Sequence, residues 1–442
     1  MFKMRGYTFH LFLFFAAAWL TLATAPAAAH DDAAHDGTAH DAAAHSVVKD
    51  GAIVFLHYWT GPMTGGVGAM VEAHNRDHPE IPLRARGFEH ESFKVGIKVM
   101  LASGATPDLF SYWAGARLKA LVDKGQLAPM DDLWQEVGLD AVFSEAMAEA
   151  CTYDGRKYAL PVTQHAVGFF YNVDVFARIG VEPPTTWESF LAACEALREA
   201  GVTPIALGAR EGWPAQFWFD FIMLRTAGPE LRQKLMDGEI GYDHPVVTET
   251  FLHWKELLDA GYVNANAGQL DWAEAAQLVH SGEAAMTLMG TWIIGQFEAG
   301  LGWRSGQDFD FFPFPEISAD AGGAALGAVD VIALPRDGRV EAAKHTLGHL
   351  AEHNAQAAMS AGSGALAPSL AVPESEYSPL QRKIRRHVVE AEAWAFNYDL
   401  ATSPEVAALG LEAFKAFLAE PSKADAVQAD LHRRTRSLFA SD

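Results

Sequence analysis

Tryptophans stand at several points of the chain where glycine, proline, serine, threonine or aspartate neighbours predict a loop or a helix start. A tryptophan ring can stack on the apolar C–H faces of a sugar ring, while carboxylate, imidazole and amide groups bond the hydroxyls. Any one of them could instead be a core residue, as Trp134, Trp187 and Trp254 are expected to be. Together they favour a site for a polar, ring-shaped ligand: Trp59, Trp113, Trp213, Trp272 and Trp292.

Other patterns could serve a cofactor or a reaction. The glycine-rich loop Gly61–Gly68 follows a predicted strand, and Glu89 stands about twenty residues further on, as in a dinucleotide-binding unit. The loop lacks the third glycine of that motif and Pro62 stiffens it, so we do not expect a dinucleotide. The sequence contains no serine-nucleophile, phosphate-loop or cysteine-pair metal motif. Carboxylates are abundant, so the paired acids of a secreted glycoside hydrolase stay open as an alternative.

Histidines recur at a spacing that places imidazoles on one helix face, at His74/His78 and at His345/His349/His353. Such groups can share a metal ion, but the His-Glu-x-x-His pattern of a metalloprotease is missing, and a solvated helix face is the favoured interpretation. A second group stands beside aspartates near the N-terminus: His30, His35, His40 and His45. We expect no metal or other cofactor, and keep a metal-capturing binding protein as a further alternative.

The beginning of the chain has the features of an export signal. Lys3 and Arg5 precede the apolar segment Leu11–Leu22, and Ala27-Ala28-Ala29 forms a small-residue cleavage site. We therefore expect a signal peptide over residues 1–29 and a periplasmic mature chain that begins at His30. Residues 30–47 lack large apolar side chains, so we expect a disordered tether rich in histidine, aspartate and alanine.

Composition narrows the classes of partner. The 442 residues include 33 Lys and Arg against 56 Asp and Glu, a formal net charge of −23. Such a surface repels nucleic acid and anionic lipid, so neither is expected as a partner. Cys151 and Cys194 are the only cysteines. An exported compartment would permit a disulfide, yet the spacing of Cys194 with Phe190 and Leu197 indicates a helix core, and the sequence leaves the bond open.

The elements that must position these residues alternate between strand and helix, which favours an α/β fold with a mainly parallel sheet. The opening unit is a strand at Ile53–Tyr58 and a helix that begins near Val67. From Phe217 to Phe297, and again from Val388 to the end, the pattern is mainly helical. Even without its first 29 residues the chain is too long for one ordinary core, so two domains are expected.

Several motifs, in order, resemble one family. They are Tyr58-Trp59-Thr60-Gly61, Gly104-Ala105-Thr106-Pro107-Asp108-Leu109-Phe110, Tyr158-Ala159-Leu160-Pro161, Phe170-Tyr171-Asn172-Val173-Asp174, Pro183-Pro184-Thr185-Thr186-Trp187, and the run from Gly282 to Trp292. This ordered set is similar to the family 1 extracellular solute-binding proteins of bacterial carbohydrate ABC importers. The resemblance extends over essentially all of the chain beyond the histidine tract.

The resemblance implies two α/β lobes joined by a hinge, with a ligand cleft between them. It places residues 48–163 and 313–372 in the N-terminal lobe, and residues 164–312 and 373–442 in the C-terminal lobe. The segments that cross between the lobes are expected near Val162–Ala166, Phe311–Glu316 and Ala371–Ser375.

Binding positions of the family transfer to this sequence one by one. Trp272 and Trp292, which flank a helix predicted at Gly282–Met286, are expected to form a stacking wall. Tyr398 and Asp399 suit a late cleft-lining segment. The full set of ligand-binding residues that we expect is Trp59, Glu89, His90, Tyr112, Trp113, His165, Trp213, Trp272, Trp292, Asp330 and Asp399.

The resemblance also implies a function without catalysis. The protein would capture a mono- or oligosaccharide in the cleft, close around it, and deliver it to the transmembrane permease subunits of an ABC importer. It would act as a monomer, and the ATPase would be a separate chain.

Overall fold

Short apolar runs bounded by turn residues form the strands of this chain, as their composition predicts. The computed structural model describes residues 51–440. The strands are β1 (Ile53–His57), β2 (Leu83–Gly87), β3 (Leu109–Trp113), β4 (Thr152–Tyr153), β5 (Arg156–Lys157), β6 (Ala159–Asn172), β7 (Thr203–Ile205), β8 (Ala284–Gly290), β9 (Phe309–Phe312), β10 (Ala324–Ala333) and β11 (Ala393–Phe396). Within this part of the chain a nine-stranded sheet has the order β2-β1-β3-β10-β6-β8-β7, with β11 on β10 and β9 on β6.

Helices separate the strands, and several begin at the caps that their sequences predict. Thr186 and Ser189 form a capping box that starts one helix, and Asp271 and Glu274 form another that makes Trp272 a first helical residue. The helices are α1 (Thr64–Asp77), α2 (His90–Ser103), α3 (Ala116–Asp123), α4 (Asp131–Val137), α5 (Leu139–Val142), α6 (Glu145–Ala150), α7 (Val173–Ile179), α8 (Trp187–Glu199), α9 (Gln216–Met236), α10 (Pro245–Asp259), α11 (Trp272–Ser281), α12 (Ile293–Gly295), α13 (Val340–Leu350), α14 (His353–Ser363), α15 (Pro379–Glu390), α16 (Tyr398–Ala401), α17 (Pro404–Ala419) and α18 (Ala424–Phe439).

Two hydrophobic cores divide the molecule. The first core takes side chains from residues 53–162 and 328–359, together with Leu400. The second takes side chains from residues 166–326 and 366–431. Strands β6 and β10 contribute to both cores and pair with each other along the border. The α/β class and the two-lobe architecture that were predicted are therefore confirmed.

The chain passes between the cores at points that differ in part from those expected. The first passage lies inside β6, between Val162 and Ala166, where a crossing was predicted. The second lies inside β10, between Leu326 and Ala328. The expected crossing at Phe311–Glu316 belongs to the second core instead, because β9 pairs with the last residues of β6 and Phe314 stacks on Phe221 at 4.8 Å.

The third passage also comes earlier than expected. Met359 is the last residue of that segment in the first core, and Leu366 is the first in the second core. Val372, inside the expected crossing Ala371–Ser375, is already packed in the second core.

The expectation of a mainly parallel sheet is wrong for the middle of the sheet. Strand β10 runs antiparallel to both β3 and β6, and β6 runs antiparallel to β8 and β9. The helix predicted at Gly282–Met286 is also wrong: Ala284–Gly290 is the fully buried strand β8. A short apolar run of this kind suits a buried strand as well as a helix, and pairing with β6 and β7 decides between them.

Two glycines of the predicted loop after β1, Gly65 and Gly66, serve helix packing. Helix α1 begins at Thr64, earlier than the predicted start near Val67, and includes Gly65 and Gly66. A Cβ atom on Gly66 would lie 2.7 Å from the carbonyl oxygen of Met359. These glycines therefore allow α1 and α14 to approach closely.

Both thiols are free and buried, Cys151 in the first core and Cys194 in the second, so the open question of a disulfide is answered by their separation into different cores. Burial raises the pKa of Cys151 to about 12. The predicted signal peptide and tether lie outside the described residues. Between residues 51 and 440, no helix combines the length and apolar character needed to cross a membrane.

Candidate functional site

A cavity lies where the two cores meet, and it encloses about 700 Å³ when the space at its open mouth is included. Its walls come from β1, β3, β6 and β10, from the first turns of several helices, and from the segment before α16. The lining residues are Tyr58, Trp59, Met63, His90, Lys94, Trp113, Arg117, His165, Trp213, Gln216, Trp272, Trp292, Ala328, Asp330, Asn397, Asp399 and Leu400.

The structure brings most of the predicted site residues together in this cavity. Residues that are remote in sequence meet there because β6 and β10 pass through the border between the cores and the helices of both lobes start beside it. The predicted residues that line the cavity are Trp59, His90, Trp113, His165, Trp213, Trp272, Trp292, Asp330 and Asp399.

Glu89 and Tyr112 lie elsewhere. Glu89 is the N-cap of α2, and its carboxylate accepts hydrogen bonds from the backbone N–H groups of Glu91 and Ser92. Tyr112 points to the opposite face of β3 from Trp113, as alternation along a strand requires, and is 1% exposed in the first core. Tyr398 is likewise buried, with its hydroxyl against that of Tyr242. All three stand directly beside cavity residues in sequence, which is why they suited the predicted site.

A buried aspartate forms the polar centre of the cavity. Oδ2 of Asp330 accepts hydrogen bonds from Nε1 of Trp59 at 3.3 Å and Oγ1 of Thr163 at 2.7 Å. It also lies 3.1 Å from Nε2 of His165. Burial by itself would raise the pKa of Asp330, but the attraction of His165 and the hydrogen bonds from its neighbours together hold that pKa below its ordinary value. Asp330 is thus an ionised acceptor in a fixed orientation.

Aromatic rings form two walls around this centre. On the first lobe, Tyr58 and Trp113 stack with their ring centroids 4.3 Å apart and their planes 16° from parallel. On the second lobe, the ring of Trp292 lies 5.9 Å from that of Trp213. The ring of Trp292 also meets the border strand β6, since its centroid is 5.3 Å from that of His165. Aromatic surfaces on both sides suit a flat, partly apolar ligand between them.

An ion pair bridges the cleft. Nη2 of Arg117, in α3 of the first lobe, donates to Oδ2 of Asp399 at 2.6 Å. The backbone N–H of Asp399 donates to Oε1 of Gln216 at 2.9 Å, which fixes the aspartate on the second lobe. The guanidinium carbon of Arg117 also lies 5.4 Å from the ring centroid of Trp113. The two lobes are therefore linked at the edge of the cavity by groups that can also bond a hydroxyl-rich ligand.

A second polar group stands at the start of α2. Nδ1 of His90 and Nζ of Lys94 both contact Oε1 of Glu91, at 2.9 Å and 2.8 Å. Burial lowers the pKa of both His90 and Lys94, which keeps the imidazole neutral near pH 7. The ring centroid of His90 is 6.1 Å from that of Trp213, so this group also approaches the second lobe.

Sequence reasoning missed several lining residues, although helical spacing could have found one of them. Lys94 is one turn after His90 in α2, whereas Arg117 lies in the first turn of α3, a separate element from the strand that carries Trp113. No comparable signal marks Met63, Gln216 or Asn397, which reach the cavity through packing of distant segments.

The comparisons with known proteins agree with this geometry. The model of the family described as bacterial extracellular solute-binding protein matches residues 37–357. An uncharacterized ABC transporter extracellular-binding protein of Pyrococcus horikoshii is 29% identical over 344 residues, which is 76% of this chain and 76% of that protein. A probable sugar-binding periplasmic protein of Mesorhizobium japonicum is 28% identical over 275 residues, 60% of this chain and 63% of that protein.

Among solved structures, the bacterial solute receptor AcbH superposes with a TM-score of 0.83 at 26% identity, over 88% of this chain and 99% of that one. AcbH is described as having an exclusive substrate preference for β-D-galactopyranose. The family resemblance and the two-lobe fold expected from the sequence are both confirmed. This chain belongs to the bacterial extracellular solute-binding proteins.

Proposed function

We propose that this protein captures a mono- or short oligosaccharide in the cavity between its lobes and delivers it to the membrane permease of an ABC importer. The observation that carries the proposal is the cavity itself, where tryptophans of both lobes surround the buried carboxylate of Asp330. The names of its relatives support the same class of ligand, since one is a probable sugar-binding periplasmic protein and another prefers a galactopyranose.

The proposed binding chemistry divides between ring faces and hydroxyl groups. Trp113 and Trp292 would stack on the apolar faces of a pyranose, because the C–H groups of a sugar ring suit an aromatic surface. Asp330 would accept a hydrogen bond from a hydroxyl, and Arg117 would donate one. His90, neutral near pH 7, offers one nitrogen as a donor or acceptor. A neutral sugar needs no net charge in its site, and each acidic or basic group here already has an internal partner.

Capture would proceed by closure of the lobes. We propose a first lobe of about residues 51–163 and 328–363 and a second lobe of about residues 166–326 and 366–440, the divisions that the two cores suggest. The crossings inside β6 and β10 would act as the hinge. A sugar that contacts both walls binds better to the closed form and shifts the population toward it. The Arg117–Asp399 ion pair would form on closure and add to that preference.

A binding role fits the cavity better than glycoside hydrolysis. A hydrolase needs one carboxyl group whose pKa is raised, so that it can donate a proton to the leaving oxygen. The pKa of Asp330 is shifted the opposite way. Asp399 is fixed by Arg117. We therefore propose that the sugar leaves the protein unaltered.

The cellular setting belongs to the same proposal. A signal peptide over residues 1–29 would export the chain to the periplasm, where it would act as a monomer without nucleic acid. The net charge of −23 suits a freely diffusing carrier that meets its permease at the membrane.

Tryptophan emission tests the proposal directly, because the proposed walls contain several tryptophans. The mature protein would be titrated with a panel of neutral mono- and oligosaccharides, and the ligand would be recovered and identified by chromatography. We expect a saturable change in emission with one sugar class, and recovery of that sugar intact. Absence of any response across the panel would refute sugar capture, and a cleaved product would instead support a hydrolase.

A further inference from the structure

Two imidazoles and a carboxylate meet on the first lobe, at the end of α1. His78 directly follows α1, His349 lies in the last turn of α13, and Glu352 directly precedes α14. The potential ligand atoms of the three side chains all lie within 4.8 Å of one another. The sequence pairs the histidines of each helix separately, whereas the fold joins one histidine from each helix.

Packing of three helices builds this cluster. At the other end of α1, Gly66 allows α1 to approach Met359 of α14. Beside the cluster, Nδ2 of Asn354 donates to Oδ2 of Asp77 at 3.1 Å and ties the start of α14 to the end of α1. The ends of α1, α13 and α14 are thus held together independently of the histidines, so the three groups are placed next to each other by the fold.

We propose that His78, His349 and Glu352 bind a divalent transition-metal ion of the zinc class. Two imidazoles and one carboxylate are a ligand set typical of zinc, whereas calcium and magnesium prefer oxygen ligands alone. Nε2 of His78 lies 3.4 Å from Oε2 of Glu352. Two ligands of a tetrahedral zinc ion, each about 2.0–2.1 Å from it, stand about 3.4 Å apart.

One imidazole of the cluster has a nitrogen that is free to bind a cation. Nδ1 of His349 is buried and has no hydrogen-bond partner among residues 51–440. A bound ion is one way to satisfy such an atom. Oε1 of Glu80 lies 3.7 Å from Nδ1 of His78, where a carboxylate can orient a metal-bound imidazole.

One adjustment is needed for all three groups to face one ion. The rings of His78 and His349 lie face to face, with centroids 3.4 Å apart and planes 6° from parallel. One imidazole must therefore turn about its side-chain bonds, and both residues are only half-buried, which leaves room for that rotation.

The proposed metal site is separate from the proposed sugar site. Met63, which lines the cavity, precedes the first residue of α1, and the 14 residues of α1 place His78 about 20 Å away along the helix. Bound metal would clamp α1 to the α13–α14 junction and stabilise the first lobe. It would not touch the sugar, so sugar affinity should be the same with and without the metal.

Thermal unfolding of the full mature chain with and without Zn²⁺ tests this site. A ligand raises the melting temperature only if it binds the native state more tightly than the unfolded state. Histidines close together in sequence, as in His30–His45, are available to the unfolded chain too and add little to the shift. We expect Zn²⁺ to raise the melting temperature of the wild type and Mg²⁺ to leave it unchanged.

The variants His349→Gln and Glu352→Gln should each lose most of the zinc-dependent shift. Loss of an outer-shell partner alone costs about 10- to 100-fold in metal affinity, so loss of a ligand should cost at least about tenfold. The matched control is His353→Ala: His353 is the next residue, but its Nε2 contacts Glu376 at 2.9 Å instead. An equal zinc shift in the wild type and His349→Gln, or no shift in the wild type, would overturn the proposal.

Discussion

Trp292 directly follows the Gly290-Thr291 end of β8, where its ring meets Trp213 on the second lobe and His165 at the border. A Cβ atom on Gly290 would lie 2.1 Å from the ring, so this glycine makes room for the tryptophan beside the strand. We predict that Trp292→Ala weakens sugar binding by about 2 kcal/mol or more, because it removes a desolvated aromatic anchor. Calorimetric titration with the sugar gives the loss in affinity.

Trp303→Ala is the matched control for that substitution. Trp303 is also half-buried in the second lobe, but it packs on Phe297, Phe309 and His280 outside the cavity. It should lower the melting temperature while sugar affinity stays within about twofold. If Trp292→Ala instead binds normally and only melts earlier, Trp292 is a core residue.

Asp330 gives a prediction about acid stability. Its pKa is lower in the folded protein than the ordinary value of 3.8. Such a group stabilises the fold above its unfolded pKa, and that contribution disappears as the pH falls through its folded pKa. We therefore predict that Asp330→Asn destabilises the protein near neutral pH, and that the difference from the wild type shrinks in acid.

Urea unfolding at a series of pH values from about 6 to about 3 covers the beginning of this loss, because the unfolded pKa of an aspartate is about 3.9. Asp174→Asn, at an exposed helix start, is the control for replacing a carboxylate outside the cavity. A difference for Asp330→Asn that does not change with pH would show that the charge of Asp330 contributes nothing to folding.

The border strands β6 and β10 pair along the line where the two cores meet. They pass so closely at Gly327 that a Cβ atom there would lie 1.8 Å from the carbonyl oxygen of His165. We predict that Gly327→Ala costs about 1–3 kcal/mol of stability through overpacking. Gly323→Ala is the control, since nothing lies within 4 Å of its Cβ position, and it should stay within about 0.5 kcal/mol. Equal stability of the two variants, measured by chemical denaturation, would contradict close packing at the border.

Much of this fold follows from sequence patterns, and the errors have definite physical causes. Helix α8 begins at Trp187 because Thr186 caps it, and a threonine before an amphipathic run is a helix-start signal that a sequence shows. Strand β8 was predicted as a helix because its buried run, Ala284–Gly290, has no alternation, and only pairing with β6 reveals it. The crossing inside β10 was not expected, because this 10-residue strand continues through the border without a break in its buried pattern.

The candidate site likewise contains some residues that sequence patterns reveal and others that they do not. Loop tryptophans beside strand ends could be found because chain direction puts the ends of neighbouring strands together. Gln216 and Asn397 could not be found, since they are contributed by packing between segments that are far apart in sequence. Tyr112 was chosen because of its neighbour Trp113, although alternation along β3 already placed it on the other face.

Sugar capture by closure requires the two lobes of the molecule to move. The Arg117–Asp399 ion pair and the contact of His90 with Trp213 both span the cleft, so opening of the lobes would break these contacts. We predict that the radius of gyration, measured by small-angle scattering, decreases when the ligand-free protein is mixed with the sugar that it binds. An identical radius in both conditions would rule out a large closing movement.

Isothermal titration calorimetry of the mature protein, with the sugar that gives the strongest response, tests sugar capture between the aromatic walls. We predict one sugar bound per chain, with a negative heat-capacity change from burial of apolar ring faces, and recovery of the sugar unaltered. Binding that survives unchanged in Trp292→Ala, or no heat with any carbohydrate, would contradict capture of a sugar between the aromatic walls.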